Sequence, residues 1–399
     1  MIFEALQARY GDCLLLTMNG PHNRVVRMLV DGGPRTVFKN SLKPRIEDER
    51  EAMELDQLDP LVFDVVMVSH IDEDHIAGIL DLFSEMREAD ENRRPRGHDV
   101  TWLLHNSFDW LVGEGEGSVA RSFRKETVLA GLGGEDALLK AAAASNSDHT
   151  ALLVLQSYSQ GSRLASLAGA LQIARNPPDQ TVVSNEHRKP RIFRVGNATL
   201  RIVGPLHDEI VKLRDKWSDW RGKNQAPASL APYLDKSVPN LSSIVAVLEA
   251  PEGSILLTGD ARGDTILAGL EQSGDLRPGG KVHVNILKLP HHGSINNVDL
   301  AFFQRIHADH YVASGDGTYG NPDRETLELL ARARPGERFT LHITYSAEEC
   351  DDTHRAWSAS GKNREPYKPS KHSLVGLFKT WKTSHPLISV EQGPVHIRL

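Results

Sequence analysis

Four candidate metal ligands lie together in the segment His70-Ile71-Asp72-Glu73-Asp74-His75. Its order, His-x-Asp-x-Asp-His, offers both imidazole and carboxylate donors. A β-branched run at 63–68 precedes the segment, and the apolar spacing of 76–86 predicts a helix after it. Because the loop is held between a strand and a helix, it needs little ordering to bind a metal. The pattern therefore favours a metal site over a solvated acidic turn.

Further ligand-type residues follow later strand-like runs. Asp260 ends one such run, and His291 and His292 end another. A single aspartate or a His-His pair is commonly a turn or surface feature, but donors at three strand ends predict one common centre. Asp31 ends an earlier run and is predicted to hold the imidazole of a ligand histidine in its correct tautomer.

The motifs occur along the chain in this order: Gly11-Asp12, Asp31-Gly32-Gly33, Ser69-His70-Ile71-Asp72-Glu73-Asp74-His75-Ile76-Ala77-Gly78, Thr258-Gly259-Asp260 and Pro290-His291-His292-Gly293-Ser294. This order resembles the metallo-β-lactamase superfamily. More narrowly, it resembles the nuclease domain of the competence protein ComEC, which carries Asp where other branches have a second His, here Asp72. The Asn-rich segment of that branch is similar to 240–245, whereas Gly320-Asn321-Pro322 departs from its Gly-His-Pro. The resemblance covers residues 1–80 and 198–335.

The resemblance implies a four-layer αββα sandwich that binds two divalent ions, zinc or manganese. It implies that His70 and Asp72 bind one ion, that Asp74 and His75 bind the other, and that Asp260 bridges them. With three carboxylates among the six predicted ligands, the donor set suits manganese as well as zinc.

The remaining candidate residues are the His-His pair and the possible third ligands of the first ion. Because adjacent residues on an extended backbone face opposite ways, only one of His291 and His292 is expected to face the metals. We favour His292 as the ligand and expect His291 to contact the scissile phosphate or to order the loop. Asp74, His291 and Asn240 are the predicted catalytic residues. The third ligand of the first ion stays open: Asn240 is in the expected place, and the alternatives are His149, His187 and His207.

Two metal ions at such a centre lower the pKa of a shared water and polarise a phosphoryl oxygen. The sequence therefore predicts a metallohydrolase, a phosphodiesterase or nuclease that uses a metal-activated hydroxide. One alternative is a small-molecule hydrolase acting on a lactone, a thioester or a phosphorylcholine-type ester, since a fold does not fix a function. Another is a non-enzymatic binding protein with structural metals, although the carboxylate-rich ligand set argues against a closed structural site.

The elements around these motifs predict one domain over 1–399, with strands antiparallel in each half and helices outside. Residues 90–195 are predicted to be a mainly helical insertion, either a lid or a surface for a protein partner. Residues 340–399 are predicted to contain C-terminal strands and a basic segment. The run Gly315–Gly320 matches G-x-G-x-x-G, but we expect a turn near the metal site rather than a dinucleotide site.

Composition limits the function classes. The formal charge of −7 argues against non-specific coating of nucleic acid. No apolar run approaches the length of a membrane span, which is about 18 residues or more. The chain has only two cysteines, Cys13 and Cys350, too few for a disulfide framework, so we expect a cytoplasmic protein.

Nucleic acid is the predicted substrate, and the segment 354–382 is a candidate contact. It has seven Lys or Arg against one acid, interleaved with Trp357, Tyr367 and Trp381. Such a composition can follow a phosphate backbone and stack bases. The alternative is a solvated loop followed by a strand with core aromatics. The residues expected to contact phosphates are Lys362, Arg364, Lys368 and Lys371.

Overall fold

The computed structural model describes residues 1–113, 149–176, 181–184, 190–222, 242–361 and 364–399. The strands of these residues are β1 Ile2–Ala5, β2 Leu14–Asn19, β3 Val25–Val30, β4 Leu61–Val68, β5 His98–His105, β6 Ala174–Arg175, β7 Arg191–Val195, β8 Ala198–Gly204, β9 Val245–Ala250, β10 Gly253–Leu257, β11 Val282–Lys288, β12 Ile306–Ala313, β13 Phe339–Ile343, β14 Ile388–Gln392 and β15 Val395–Arg398. The α-helices are α1 Lys43–Ala52, α2 Glu73–Glu91, α3 Phe108–Leu111, α4 His149–Ala170, α5 His207–Gly222, α6 Gly263–Ser273, α7 Leu300–Arg305, α8 Arg324–Ala333, α9 Ala347–Ala359, α10 Pro369–His372 and α11 Leu374–Ser384.

The strands form two sheets that pack face to face. In the described residues, the first sheet has the order β15-β1-β2-β3-β4-β5-β6 and the second has the order β14-β13-β12-β11-β10-β9-β8-β7. Apolar side chains from both sheets, such as Leu16 and Leu248, meet in one core between them. Two other cores join the outer face of each sheet to helices. The fold is therefore the four-layer αββα sandwich that the sequence predicted.

Strand direction differs from the sequence prediction, which expected antiparallel strands in each half. In the first sheet β15, β1, β2 and β3 pair antiparallel, but β3 to β6 pair parallel. In the second sheet β7 to β10 pair antiparallel, but β10 to β14 pair parallel. The expectation was wrong because apolar alternation does not report direction, whereas crossover helices such as α2, between β4 and β5, require parallel pairing.

Parallel strands bring their carboxyl ends to one edge of a sheet, where ligand sites of α/β proteins commonly lie. Strands β3 and β4 end directly before Asp31 and Ser69. In the second sheet, β10 ends two residues before Gly259-Asp260 and β11 ends at Lys288, just before the His-His pair. The topology thus gathers the predicted ligand loops at strand ends.

The predicted insertion, 90–195, lies partly outside the described residues. Its described part contains helices α3 and α4, while β5 and β6 within the same range are strands of the first sheet. Residues 114–148, in the middle of this predicted insertion, lie outside the described residues. No helix of the described chain combines the length and the apolar character needed to cross a membrane.

The segment 354–382 is mainly helical, so the expectation of a loop followed by a strand was wrong. It covers the end of α9, all of α10 and most of α11. Leu374, Leu377, Phe378 and Trp381 are spaced three and four residues apart and form the buried face of α11. Strand β14 then joins the second sheet and β15 joins the first.

Candidate metal centre

The metal loop, residues 69–75, is fixed by the end of strand β3. Asp31 has a φ of 58°, and its carboxylate accepts hydrogen bonds from the backbone N–H and the Oγ of Ser69, both at 2.7 Å. Gly32 approaches Gly78 of helix α2 so closely that a Cβ on Gly78 would lie 1.9 Å from the carbonyl oxygen of Gly32. Glycine is therefore required where β3 meets α2, and this contact sets the metal loop against Asp31.

Both histidines of the metal loop have Nδ1 beside a polar partner. Nδ1 of His75 lies 2.8 Å from Oδ2 of Asp31, which is the contact predicted for Asp31, and Nδ1 of His70 lies 3.1 Å from Oγ of Ser69. A carboxylate at Nδ1 fixes the proton there, so Nε2 of His75 carries the lone pair. Burial, together with His75, lowers the pKa of His70 to about 4, so this imidazole is neutral at pH 7, as a metal donor must be.

His291 and His292 lie in a turn, not on the extended backbone that the sequence analysis assumed. Their φ angles are 47° and 57°, in the left-handed region. Nδ1 of His292 lies 3.0 Å from Oγ of Ser314. Nδ1 of His291 lies 2.8 Å from Oδ1 of Asn297. In both rings Nε2 is therefore the nitrogen left to act as a donor.

Asp260 lies at the middle of the four imidazoles. Its Oδ1 is 3.2 Å from Nε2 of His75 and 3.8 Å from Nε2 of His292. Its Oδ2 is 3.6 Å from Nε2 of His70 and 3.5 Å from Nε2 of His291. The expectation that only one residue of the His-His pair faces the centre was wrong, because side-chain alternation applies to extended backbone and not to this turn.

The two aspartates of the metal loop lie beside different imidazoles of this arrangement. Oδ2 of Asp72 is 3.8 Å from Nε2 of His70. Oδ2 of Asp74 is 3.4 Å from Nε2 of His292 and 4.0 Å from Nε2 of His75. Each oxygen of the central carboxylate thus faces a set of two imidazoles, with one further aspartate beside each set.

Four of the donor atoms fit metal ions because they are buried and make no hydrogen bond. Among the described residues, Nε2 of His70, His75 and His292 and Oδ1 of Asp260 are buried without a hydrogen-bond partner. Buried polar atoms are almost always hydrogen-bonded, so an unsatisfied cluster needs another explanation, and a bound ion is one. In the part of the chain that the structure describes, two groups have one ligand atom from each residue within 4.8 Å of all the others. The first group is Asp12, His75, Asp260 and His292, and the second is His70, Asp74 and His75.

The electrostatics indicate an excess of negative charge in the centre. Burial would raise the pKa of Asp260, but the surrounding imidazoles, that of His291 first, hold it well below its usual range. Burial would lower the pKa of His292, yet the Asp12 and Asp260 carboxylates raise it to about 9. The pKa of His75 is also raised well above its ordinary value, mainly by Asp260 and despite burial. Cations, whether protons or metal ions, are favoured at this place.

Asp12 and Lys288 form a buried ion pair to which the sequence analysis gave no role. Nζ of Lys288 lies 2.8 Å from Oδ2 of Asp12. Oδ1 of Asp12 lies 3.3 Å from Nδ1 of His292 and accepts a hydrogen bond from Oγ of Ser314. Burial would raise the pKa of Asp12, but Lys288 lowers it strongly. The signal in the sequence was a lysine that ends a strand directly after the apolar pair Ile286-Leu287.

Four other predicted residues are not among these contacts. Asn240 and His187 lie outside the described residues. His149 is the first residue of α4, and only its backbone is described. His207 is the first residue of α5, and neither group of convergent donors in the described residues includes it. Among the described histidines, His291 is the one whose Nε2 lies beside Oδ2 of Asp260 together with the Nε2 of His70.

Comparisons with known proteins give partial similarities. No protein family model matches the chain. Microtubule-associated protein 1A from Homo sapiens is 31% identical over 152 residues, or 36% of this chain, and its Mus musculus counterpart is 29% identical over 109 residues, or 27%. The chain spans only 5% and 4% of the length of these relatives. The crystal structure of Zn²⁺-bound PqqB from Methylobacterium extorquens aligns over 100% of both chains, with 12% identity and a TM-score of 0.38.

Proposed function

We propose that this protein is a metal-dependent hydrolase that cleaves phosphodiesters, with nucleic acid as its substrate. The observation that carries the proposal is the position of Asp260 between two pairs of imidazole Nε2 atoms, at 3.2 to 3.8 Å from each. Three of those nitrogens and one oxygen of the carboxylate are buried and make no hydrogen bond. This donor set matches a centre for two ions bridged by a carboxylate.

The residues divide into two sets of donors. His75, His292 and Asp74 lie on the Oδ1 side of Asp260, and we assign them to one ion. His70 and Asp72 lie on the Oδ2 side, and we assign them to the other.

His291 supplies the third donor that the sequence left open. Its Nε2 is 3.5 Å from Oδ2 of Asp260, as near as the 3.6 Å of His70. We therefore assign His291 to the set that contains His70, in place of the phosphate contact expected from sequence. Its side chain is 31% exposed, so this set faces solvent on one side and a substrate can reach it.

The nucleophile in this proposal is water. Burial raises the pKa of the Cys13 thiol well above its usual range and that of Cys350 to about 12, so neither is a thiolate at neutral pH. Divalent ions held by the two donor sets would lower the pKa of water toward neutrality and polarise a phosphoryl oxygen. We assign the carboxylate of Asp74, 22% of whose side chain is exposed, to accept the proton that such a water would release.

The donor set supports a phosphodiester over a carboxylic ester. Three aspartates beside four imidazoles form a mixed oxygen and nitrogen donor set, which suits manganese as well as zinc, and either ion can polarise a phosphate oxygen. The same openness to solvent and richness in carboxylates speak against a purely structural metal site, which is usually closed by Cys and His.

Substrate classes can be separated with the purified full chain. The experiment supplies manganese or zinc and measures hydrolysis of bis-p-nitrophenyl phosphate, single-stranded DNA, single-stranded RNA, a lactone and a thioester. We expect phosphodiester hydrolysis that EDTA abolishes and metal restores. Asp260→Asn should be inactive while folded, as judged by circular dichroism. Asp351→Asn, which alters a buried aspartate bonded to Ser373 and Leu374, is the matched control and should stay active.

Two results would contradict the proposal. Cleavage of the lactone or thioester without cleavage of any phosphodiester would assign the protein to the small-molecule hydrolases. Equal activity of the wild type and a folded Asp260→Asn variant would remove the centre from the reaction.

A further inference from the structure

Tyr319 is a large aromatic residue with 59% of its surface exposed. Its φ is 64°, in the left-handed region, within the turn Thr318–Gly320. Glycine or asparagine would adopt this conformation at a lower cost. Backbone preference therefore does not account for a tyrosine here, and more than half of the residue is open to solvent. Strained residues of this kind cluster at ligand-binding sites.

Tyr319 lies beside the metal loop. Its ring meets that of Tyr10 edge to face, with centroids 5.5 Å apart, and the hydroxyl of Tyr10 donates to Oε2 of Glu73 at 3.1 Å. Partial burial of its hydroxyl, then the nearby carboxylates of Asp74 and Glu73, raise the pKa of Tyr319. The exposed ring is therefore a neighbour of the side of the centre that carries Asp74.

Further aromatic and cationic side chains adjoin Tyr319 and Tyr10. The ring of Trp357 lies 5.6 Å from that of Tyr319, and the guanidinium of Arg364 lies 4.4 Å from the centroid of Trp357. On the other side, the guanidinium of Arg9 lies 5.2 Å from the centroid of Tyr10. Arg364 is held in place by hydrogen bonds from its Nη1 to the carbonyl oxygen of Trp357 and to a serine hydroxyl, each at 2.7 Å.

The cationic side chains near these rings differ in whether a carboxylate pairs with them. Within the described part of the chain, Arg9 and Arg364 form no ion pair with a carboxylate. Lys371 and Lys368, by contrast, lie 2.7 Å and 3.5 Å from oxygens of Glu365. The positive charge available to an anion is therefore concentrated on the two arginines next to the aromatic rings.

Resting on the proposed function, we propose that Tyr319 stacks a base of a single-stranded polynucleotide whose phosphates contact Arg9 and Arg364. A single strand alternates flat bases with negative phosphates, and an exposed ring between two unpaired cations is complementary to both. A duplex offers no free base face to Tyr319, and a small phosphodiester bound at the metals gains nothing from Arg364. We call these five residues the Tyr319 platform: Arg9, Tyr10, Tyr319, Trp357 and Arg364.

Binding without turnover tests the role of the ring. The probe is a fluorescein-labelled oligothymidylate of about 12 nucleotides, within the usual site size of single-strand binding modules. Fluorescence anisotropy gives its Kd for the full chain in EDTA. Loss of one stacked base predicts a Kd at least about fivefold higher for Tyr319→Ala, and little change for Tyr319→Phe, which keeps the ring. Leu58→Ala removes another exposed apolar side chain, 74% exposed, and should bind as the wild type does.

Salt dependence tests the arginines. Arg9→Gln and Arg364→Gln should each reduce the slope of log Kd against log salt by about 0.7, the value for one phosphate contact on a single strand. Arg94→Gln removes an exposed arginine that pairs with Glu88 and should leave the slope unchanged. A duplex of the same length should compete weakly.

The outcomes separate this inference from the function on which it rests. Unchanged Kd for a folded Tyr319→Ala variant, equal losses for Tyr319→Phe and Tyr319→Ala, or no binding by the wild type would each overturn the platform. Failure of the wild type to hydrolyse bis-p-nitrophenyl phosphate with any metal would instead overturn the proposed phosphodiesterase, since the oligonucleotide is bound in EDTA without chemistry.

Discussion

Nζ of Lys288 lies 2.8 Å from Oδ2 of Asp12, and both side chains are 1% exposed. The pair lies directly behind His292, because the other oxygen of Asp12 is 3.3 Å from Nδ1 of that ring. A buried carboxylate that orients a candidate ligand is thus itself balanced by a buried ammonium group. The centre and the stability of the fold are coupled at this point.

Removal of one member of this pair should be costly. We expect Lys288→Met to lower the free energy of unfolding by about 3–5 kcal/mol, because the Asp12 carboxylate would remain buried without its partner. Urea unfolding measures the change. Arg94→Met, which breaks an exposed pair with Glu88, should cost less than about 1 kcal/mol. If both variants lost a similar amount of unfolding free energy, the buried pair would contribute no more to stability than the exposed pair does.

The Asp31 contact predicts a change in metal affinity. Asp31→Asn keeps the shape of the side chain but removes the carboxylate that lies 2.8 Å from Nδ1 of His75. Loss of such a partner typically weakens metal binding about 10- to 100-fold. Competition with a chromophoric chelator would measure it, with Asp351→Asn as the buried-aspartate control. Metal affinity equal to that of the wild type would argue that His75 needs no orienting partner.

Asp74 should matter for the rate. With the carboxylate 3.4 Å from Nε2 of His292, Asp74→Ala is expected to lower kcat on bis-p-nitrophenyl phosphate by about 100-fold or more. Asp81→Ala changes an exposed aspartate of the same helix and should retain the rate. A folded Asp74→Ala variant with normal kcat would exclude Asp74 from the reaction.

The metal loop could be predicted because its donors are neighbours in sequence between a strand and a helix. The sandwich followed from the succession of apolar runs and helices. The parallel pairing of β3 to β6 could not be predicted, because it depends on where each crossover connection brings the chain back to the sheet. The orientation of His291 toward Asp260 was not predicted, because two left-handed residues in succession, His291 and His292, turn both rings toward that carboxylate, and residue type alone does not specify such a turn.

Residues far apart in sequence were harder to assign. Asp12 belongs to one of the motifs that carried the family resemblance, but its partner Lys288 is 276 positions further along the chain. Tyr319 lies in a glycine-rich run whose spacing suggested only a turn. Its significance depends on exposure, on φ and on Tyr10 and Trp357 beside it, and these are properties of the folded chain.

Burial of His105 predicts an effect of pH on stability. Its Nε2 lies 3.3 Å from the carbonyl oxygen of Gly161, and burial, followed by the charge of Arg175, lowers its pKa to about 4. As pH falls from about 6.5 to about 4, the unfolded chain gains a proton at this residue and the folded chain does not. The free energy of unfolding should therefore decline over this range, by up to about 3 kcal/mol from His105 alone.

His105→Gln provides the measurement. Its difference in unfolding free energy from the wild type, both in EDTA, should shrink as the pH is lowered from about 7 to about 5. The variant lacks the group whose protonation destabilises the wild type. A difference that stays constant with pH would contradict the depressed pKa.

The central claim is that the two donor sets around Asp260 hold metal ions. Elemental analysis of the full chain, dialysed against manganese or zinc and then against metal-free buffer, tests it most directly. We predict about two divalent ions per chain for the wild type, and fewer for Asp260→Asn, which lacks the shared carboxylate. A folded wild-type protein that retains no ion after exposure to either metal would contradict the account.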